Sequence, residues 1–339
     1  MLATTVVVLQ GAQASGVAIT LDVLAAANRF CEVLGNPPAF DVRLSGSGAA
    51  TFRPLLSFPE ATHESPELLI VPALGCSNAE APTESLIYRE RLSMEDALAA
   101  CGEIREALQA GSHVASSCTG TLLVASTGLL ARRTVTTAWW LAPVFGEMFP
   151  DILLDTEQVV ISDGSFTTAG AGMSQVDVMV KLVARFAGAN VADLCVKRMV
   201  LDERRSQVPY MAMGLLAASD EKVEKAAAWV KSRLDQAFDI NDVASAVGLS
   251  SRTFYRRVMR ATGLSPVQFL RQLRLEHAIE LIRSTPLAFD EIAFRVGYSD
   301  ASTLRSLIRR TMGVGPRELR SKTTRSQNVE SGERPRLNY

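Results

Sequence analysis

Two segments near the C-terminal end of the chain repeat one pattern, and this repeat constrains the fold more than any other feature. The first segment covers residues 240–266 and the second covers residues 289–316. Each holds a short helical pattern with an alanine on its packing face, a glycine turn, a serine or aspartate, and a second helical pattern. The glycine supplies a left-handed turn, and Ser250 or Ser299 can cap the helix that follows. This order of features predicts two helix-turn-helix units.

A further helical segment lies between the two repeats. Residues 267–283, which follow Pro266, are apolar at helical spacing. A helix of about 17 residues spans about 26 Å, so it can hold two reading helices roughly one DNA turn, about 34 Å, apart. The alternative interpretation is that two similar helical hairpins only pack together, as in a small bundle. The number of features that recur in the same order favours the DNA-binding interpretation.

The distribution of charge along the chain fits a nucleic-acid partner for the C-terminal part. Residues 1–219 carry 14 Lys and Arg against 22 Asp and Glu, a net charge of −8. Residues 220–320 carry 17 against 12, a net charge of +5, although the whole chain sums to −1. An acidic region repels a polyanion and a basic region attracts one. Taken alone, the asymmetry also fits ordinary solvated surface.

Three stretches of the C-terminal part resemble the DNA-binding domain of the AraC family. They are GLSSRTFYRR, GLSPVQFLRQLRLEHA and GYSDASTLRSLIRRTMGVGPRELR, and the resemblance covers about residues 220–320. It implies that the second helix of each unit enters the major groove of double-stranded DNA. The DNA-binding residues that it implies are Arg252, Thr253, Tyr255 and Arg256 in the first unit, and Ser302, Thr303, Arg305, Ser306 and Arg309 in the second.

The second unit departs from the family pattern. Ser306 stands where an arginine is common, with Arg305 one place earlier, and Ile308 stands where phenylalanine is usual. Because position 308 stays hydrophobic, we expect the fold to survive. Arginine suits guanine O6 and N7, but half or more of the hydrogen bonds to DNA go to its backbone. Each arginine therefore has two possible roles, and whether the second unit reads bases or only holds phosphates stays open.

The N-terminal part alternates strand-like and helix-like patterns. Apolar runs predict strands at residues 5–9, 39–45, 68–71 and 113–118. Helical periodicity occurs at residues 20–34, 94–110 and 174–187. Residues 158–168 hold an Asp-Gly turn between apolar runs and predict a hairpin. We therefore predict an α/β three-layer sandwich with a mostly parallel sheet, followed by an all-α domain with two helix-turn-helix units.

A cysteine stands where one predicted strand meets a helix. Cys118, in the sequence SSCTGT, lies at a junction that can expose a side chain near a helix N-terminus, where a thiol can become a low-pKa nucleophile. Together with the stretches LIVP at 69–72 and RTVTTAW at 133–139, it resembles the DJ-1/PfpI-like, class I glutamine amidotransferase-like fold. That resemblance covers about residues 4–187. With the AraC-type part, the whole chain resembles the GlxA-like regulators.

The resemblance implies a nucleophile without its base. The family's histidine, in its Thr-Thr-His-Trp stretch, corresponds to Ala138. His113 lies five residues before Cys118 on the same strand, about 16 Å away at 3.3 Å per residue, and cannot serve as the base. We therefore expect no enzyme activity. The alternatives are a cysteine-dependent amidotransferase-like or deglycase enzyme with an accessory helical domain, and a ligand-independent architectural DNA-binding protein.

The predicted ligand-binding residues of the N-terminal part are Asp22, Gly75, Cys118, Thr119 and Trp139. Asp22 either stabilises the first helix or binds a cationic group, and Trp139 either belongs to the core or stacks on a cation. Cys118 is either a pocket wall, a small apolar residue retained in an old site, or an oxidation-prone thiol. We expect an amino-acid- or amine-like effector and no cofactor.

Few residues are left for other chemistry. The cysteines are Cys31, Cys76, Cys101, Cys118 and Cys195. They form no CxxC pair, which favours reduced thiols in a cytoplasm and argues against structural zinc. Cys31 and Cys101 are predicted to be buried, and His63 and His277 to be surface or packing residues. No signal peptide and no apolar run of about 18 residues occurs, so we expect a cytoplasmic protein without a membrane span or metal site.

The chain thus divides into four predicted parts. They are a ligand-sensing and dimerisation domain at 1–190, a connector at 191–219, the DNA-binding domain at 220–320 and a disordered tail at 321–339. We expect a sequence-specific transcription regulator that forms a homodimer. It would contact RNA polymerase if it is an activator.

Overall fold

The computed structural model describes residues 1–55, 58, 65–75 and 84–321. Two compact units share the chain, Met1–Gln207 and Val208–Tyr339. Predictions for His63, Cys76 and the tail beyond residue 321 lie outside the described residues. Among the helices of the described ranges, none combines the length and apolar character that crossing a membrane requires.

The first unit is built on a six-stranded sheet. The described part of this unit has eight strands, which are β1 Leu2–Val7, β2 Phe40–Ser45, β3 Leu68–Val71, β4 His113–Ser117, β5 Thr134–Val135, β6 Leu153–Leu154, β7 Val160–Asp163 and β8 Phe166–Ala169. The main sheet has the order β2-β1-β3-β4-β8-β7, while β5 and β6 form a separate pair. All neighbours in the main sheet are parallel except β7 and β8, which form the predicted hairpin. The turn between them contains Gly164 with φ 61°.

Helices cover both faces of this sheet. They are α1 Ala14–Val33, α2 Ala49–Phe52, α3 Glu84–Leu92, α4 Glu95–Gln109, α5 Gly120–Ser126, α6 Ala142–Met148, α7 Ser174–Phe186 and α8 Ala189–Met199. One core joins α1, α7 and α8 to side chains such as Val6 and Ile70, and the other joins α4, α5 and α6 to side chains such as Val7 and Val71. Alternate residues of a strand face opposite sides, so consecutive valines feed both cores. The predicted three-layer sandwich is confirmed.

The second unit is helical throughout its described residues. Its helices are α9 Met213–Ala217, α10 Glu221–Lys231, α11 Ile240–Ala246, α12 Ser251–Thr262, α13 Pro266–Ser284, α14 Phe289–Arg295 and α15 Ala301–Met312, and residues 316–321 are also helical. The pairs α11/α12 and α14/α15 are the predicted helix-turn-helix units. The spacer helix α13 has 19 residues, about 28 Å at 1.5 Å per residue. The predicted all-α fold with two such units is confirmed.

Both helix-turn-helix units bury the alanine on their packing face, as the sequence pattern predicts. Ala244 and Ala293 are each 1% exposed, so the first helix of each pair approaches its neighbours closely. The prediction of a Ser299 cap is wrong, because Asp300 caps α15. The second turn is one residue longer than the first, which moves the capping position from the serine to the aspartate.

The boundary between the units differs from the predicted connector at 191–219. Helix α8 packs against α1 and α7 within the first unit, and Cys195 is completely buried in that core. Residues from Val208 onward belong to the second unit. The functional roles given to the four predicted parts stay predictions.

Candidate nucleic-acid interface and ligand pocket

Helix α12 separates buried apolar residues from exposed polar ones. Phe254 and Val258 are completely buried, which fixes that face of the helix against the unit. Ser250 accepts a hydrogen bond from the Thr253 backbone and caps the helix. Arg252, Tyr255 and Arg256 are exposed, and both arginines lack a hydrogen bond or ion pair to any described residue. The predicted contact residues thus share one exposed face, with Thr253 half-buried beside them.

Two long-range contacts, which the sequence did not predict, hold this unit in place. Arg257 on α12 contacts both carboxylate oxygens of Asp220, at 2.9 and 2.8 Å, 37 residues earlier. Asp220 is also the N-cap of α10. Lys222 donates to the Val247 carbonyl at 2.8 Å, in the turn before α12. Two basic side chains in this region therefore support the reading helix instead of being free for DNA.

Helix α15 has the same apolar face and a different start. Leu304 and Ile308 are completely buried, so the fold accommodates isoleucine where the family usually has phenylalanine. The Asp300 carboxylate accepts the backbone N–H groups of Ser302 at 3.0 Å and Thr303 at 3.2 Å. It also accepts both of their hydroxyl groups. These hydrogen bonds, with that of the Ser302 hydroxyl the strongest, lower the pKa of Asp300 to about 2.

The first arginine of α15, Arg305, contacts the preceding helix of its own helix-turn-helix unit. The Arg305 guanidinium lies 5.0 Å from the centre of the Phe289 ring and 3.9 Å from the Asp290 carboxylate. Both partners belong to α14, the preceding helix. Ser306 and Arg309 are exposed farther along α15. The two helix-turn-helix units therefore have similar folds but expose different side chains that can contact DNA.

The turn of the second helix-turn-helix unit contacts the spacer helix α13. Gly297 has φ 80°, and an added Cβ would lie 2.5 Å from the Leu234 carbonyl oxygen, so only glycine fits there. Arg274 on α13 donates to the Gly297 carbonyl at 3.3 Å. The same guanidinium lies 5.2 Å from the centre of the Phe238 ring. These contacts position the second helix-turn-helix unit on α13.

Cys118 lies at the predicted junction between β4 and α5 and is 5% exposed. Its backbone has φ 51°, a left-handed conformation that is rare outside glycine. Burial raises the pKa of the Cys118 thiol and outweighs the hydrogen bonds that Thr119 provides. The interpretation of Cys118 as a low-pKa nucleophile is therefore wrong, because desolvation disfavours the thiolate. Ala138 is also completely buried and offers no base.

The other histidines and cysteines among the described residues make contacts within the folded units. His113 contacts the Thr167 hydroxyl at 2.9 Å and packs edge-on against Phe186. Burial, together with the nearby Arg185, lowers the pKa of His113 to about 4, so the ring is neutral at pH 7. Cys31 and Cys101 are buried as predicted. His277 is half-exposed and lies 3.2 Å from Glu280.

Three of the predicted ligand-binding residues lie at the carboxyl edge of the sheet. Thr119 follows Cys118 and donates its hydroxyl to the Leu74 carbonyl at 2.8 Å. Gly75 lies so close to Gly11 that an added Cβ would meet the Gly11 carbonyl oxygen at 1.5 Å. These contacts bring the segment after β3 against both the Cys118 junction and the segment after β1. This edge lies where the strand order reverses between β1 and β3, a common place for ligands in open α/β sheets.

The other two predicted ligand-binding residues lie elsewhere on the unit. Asp22 is exposed on α1 and lines a surface cavity with Arg29 and Arg198, away from the Cys118 junction. Trp139 is half-buried, and its ring meets the more exposed Trp140 edge-to-face at 5.4 Å. The structure therefore does not bring all five predicted residues into one cavity.

A cavity of about 940 Å³ opens at this carboxyl edge and is lined by Gly75. Arg91, which is 7% exposed, contacts both Asp96 carboxylate oxygens and the Gln10 carbonyl. Ser47 links Asp96 back to the Gln10 backbone N–H, which closes a ring of polar contacts. The sequence did not predict this cluster, because its members lie up to 86 residues apart. Further lining residues include the acidic Glu95 and Glu103.

Comparisons with known proteins match both parts of the chain. The helix-turn-helix domain family matches residues 243–322. The regulator GbdR of Pseudomonas aeruginosa is 24% identical over 213 residues, which are 62% of this chain and 58% of that protein. The regulator GlxA of Rhizobium meliloti is 26% identical over 267 residues, which are 74% of this chain and 80% of that protein. Drosophila melanogaster DJ-1beta aligns with 59% of this chain and 98% of its own, with 14% identity and a TM-score of 0.42.

The matches with the two regulators agree with the resemblance drawn from the sequence. The two named regulators are described as HTH-type transcriptional regulators, and each alignment covers more than half of this chain. The chain resembles GlxA-like regulators and carries a helix-turn-helix domain of the kind that binds DNA. The alignment with GbdR spans little more than half of that protein's length.

Proposed function

We propose that this protein is a sequence-specific DNA-binding transcription regulator that responds to a small metabolite bound by its first unit. The observation that carries the proposal is the exposed face of α12. There, two arginines that pair with no other side chain in the described ranges and a tyrosine project from a capped helix inside a matched helix-turn-helix domain. Arginine in this setting forms paired hydrogen bonds with guanine or single ones with phosphate.

The two helix-turn-helix units have different roles in DNA binding in this proposal. Arg252, Thr253, Tyr255 and Arg256 contact the major groove from α12. A second set contacts a neighbouring groove, mainly through phosphates, and comprises Ser302, Thr303, Arg305, Ser306 and Arg309. The engagement of Arg305 with Phe289 supports a positioning role for α15 more than a base-reading role.

The effector is proposed to bind at the carboxyl edge of the sheet, where Gly75, Cys118 and Thr119 lie. The adjoining cavity carries three carboxylates, Glu95, Asp96 and Glu103, against one guanidinium, Arg91. Its net charge of −2 supports a ligand with a cationic group, such as an amino-acid- or amine-like metabolite. Asp22 and Trp139 do not line this cavity, and their predicted roles, a contact to a cationic group and a stacking surface, are proposed for separate parts of the first unit.

Assembly and location complete the proposal. A homodimer formed through the first unit would present four helix-turn-helix units to a repeated DNA site. The protein acts in the cytoplasm, where its buried thiols stay reduced. If it is an activator, RNA polymerase is a further partner.

We also propose that the first unit is not an enzyme. The left-handed backbone at Cys118 is the one observation that favours nucleophilic chemistry. The raised thiol pKa and the alanine at position 138 oppose it, because neither a thiolate nor a base is provided. Glyoxalase, amidase and protease activities should be equal for the natural protein and Cys118→Ala. A turnover that disappears in Cys118→Ala would restore the enzyme alternative.

A mobility-shift titration tests the DNA-binding proposal. The purified full chain is titrated onto DNA flanking its own gene, with excess nonspecific competitor. We expect a discrete complex that survives the competitor, with an affinity that changes when an amine- or amino-acid-type effector is added. A complex lost to competitor would favour the architectural alternative, which depends steeply on salt and little on sequence. No complex at low salt would overturn the proposal.

A further inference from the structure

The last residues of the first unit form a short docked segment, defined here as residues 203–207. Ser206 bridges Gln158 in antiparallel fashion, and the Gln207 backbone N–H donates to the Glu157 carbonyl at 2.8 Å. Arg204 donates to Asp177 at 2.7 Å and to the Met173 carbonyl at 2.8 Å. The docked segment is therefore held at several points, although its sequence suggests only a charged connector.

The side chain of Gln207 is the most deeply enclosed part of the docked segment, being only 3% exposed. Its amide nitrogen donates to the carbonyls of Thr137 at 2.9 Å and Thr156 at 3.0 Å. Its amide oxygen accepts the Ala171 backbone N–H at 2.9 Å. An added Cβ on Gly170 would lie 2.3 Å from this amide, so a larger residue there would displace the Gln207 side chain. A buried donor and acceptor are thus satisfied together, which only an amide of this length allows.

The partners of Gln207 are also the neighbours of Cys118. The Thr137 hydroxyl donates to the Cys118 carbonyl at 2.7 Å, and the Thr137 carbonyl accepts from Gln207. On the other side, the Cys118 backbone N–H donates to the Ala169 carbonyl, two residues before Ala171. The Gln207 amide therefore joins the two segments that enclose the Cys118 junction. A displacement of either segment breaks hydrogen bonds to Gln207.

The residue after Gln207 belongs to the second unit. The Val208 carbonyl accepts a hydrogen bond from Gln272 at 3.1 Å, and Gln272 lies on α13, which carries both helix-turn-helix units. Two consecutive residues are therefore anchored in different units. A change at the Cys118 junction thus has a short covalent route to the DNA-binding unit.

We propose that Gln207 couples the effector site at the Cys118 junction to the DNA-binding unit. The hydrogen bonds of its buried amide provide this coupling. This inference rests on the proposed function for its biological meaning. The coupling itself is a property of the first unit that is measurable without DNA. Because energetic coupling is reciprocal, a change at Cys118 must loosen the docked segment as much as release of Gln207 loosens Cys118.

The first experiment measures the rate at which iodoacetamide alkylates Cys118 in the full chain, resolved by peptide mass spectrometry. Gln207→Glu places an acceptor-only carboxylate against three carbonyl oxygens, so the hydrogen bonds that the amide nitrogen donates are lost while the one from the Ala171 N–H can remain. We expect alkylation of Cys118 to become about tenfold faster, because reaction requires local opening. Gln109→Glu makes the same chemical change at an exposed position at the end of α4 and should leave the rate unchanged.

The second experiment reverses the direction. Thr137→Val removes the hydroxyl contact to the Cys118 carbonyl and keeps the carbonyl that binds Gln207. We expect faster hydrogen exchange in the docked segment, and the same effect in natural protein whose Cys118 is alkylated. If Gln207→Glu fails to fold, as judged by thermal unfolding, Thr137→Val and Gly170→Ala still test the coupling.

Two outcomes overturn the inference. In one, Gln207→Glu speeds exchange in residues 203–207 while the alkylation rate of Cys118 matches that in Gln109→Glu, so Gln207 is only an anchor. In the other, Thr137→Val leaves hydrogen exchange in the docked segment unchanged.

A DNA-binding measurement separates failure of this inference from failure of the proposed function. Alkylation should change duplex affinity about fivefold in natural protein but not in Gln207→Glu or Cys118→Ser. Absence of any duplex binding would overturn the proposed function and leave only the coupling between Cys118 and the docked segment.

Discussion

The two helix-turn-helix units of the second unit share a scaffold and differ in what they offer to DNA. Both pack through a buried alanine, both reading helices bury three apolar residues, and both end at a left-handed glycine, Gly263 or Gly313. The exposed faces diverge. Helix α12 begins at a neutral serine and carries unpaired arginines, whereas α15 begins at an aspartate and carries an arginine that contacts α14.

This difference separates the requirements of folding from those of binding. Packing needs a small residue, an apolar stripe and a turn, which both copies retain. Binding needs basic side chains that have no partner within the protein and can therefore contact a phosphate or a base. In the second copy, Asp300 and Asp290 place negative charge beside the helix start and beside Arg305. We therefore expect the first copy to dominate affinity, and three substitutions test that expectation.

The largest effect is expected from Arg256→Ala. A paired contact to a base is worth about 1–3 kcal/mol, so duplex affinity should fall about tenfold or more in a mobility-shift titration. Arg260→Ala serves as the control, because it removes the same charge from an exposed position on the same helix. Equal losses for the two variants would show that α12 contributes only general positive charge.

A smaller effect is expected from Arg305→Ala. Its guanidinium already stacks on Phe289 and lies near Asp290, so its removal should weaken duplex binding about threefold or less. Asp290→Asn provides a companion, since it removes the neutralising carboxylate and should strengthen binding slightly. A loss for Arg305→Ala as large as that for Arg256→Ala would remove the proposed asymmetry between the units.

The smallest effect is expected from Asp300→Asn, which keeps a capping side chain and removes a charge. Less repulsion of phosphate should tighten binding about twofold at low salt, and high salt should screen the gain. The reciprocal Ser250→Asp should weaken binding by a similar factor. If Asp300→Asn leaves affinity unchanged at low salt, the start of α15 does not approach the DNA backbone.

The same variant predicts a pH dependence. The pKa of Asp300 is about 2 in the folded protein, below the value of about 3.9 for an unperturbed aspartate. The stabilisation from its ionised form is therefore complete above about pH 4 and is lost as the pH falls towards 2. The difference in unfolding temperature between the natural protein and Asp300→Asn should shrink across that range. A constant difference would contradict the assigned hydrogen bonds.

Local patterns predicted most of the elements. The Asp-Gly turn, the alternation of apolar runs and the repeated alanine and glycine each act over a few residues, and the sheet hairpin and both helical pairs followed from them. The capping residue of α15 was missed because the second turn is one residue longer. The predicted junction at Cys118 occurs where expected, but its pKa depends on burial, which the local sequence does not report.

The amino-acid sequence by itself determined the two-part organisation, the secondary structure and the side chains that α12 can expose. These depend on hydrophobic periodicity and turn chemistry, which act between near neighbours. Only the tertiary structure decided which polar groups are free. Arg257 pairs with Asp220, Arg91 reaches Gln10, and Gln207 joins two segments beside Cys118. Such contacts join residues far apart in the chain, and a buried polar group takes whichever partner the fold brings within hydrogen-bond distance.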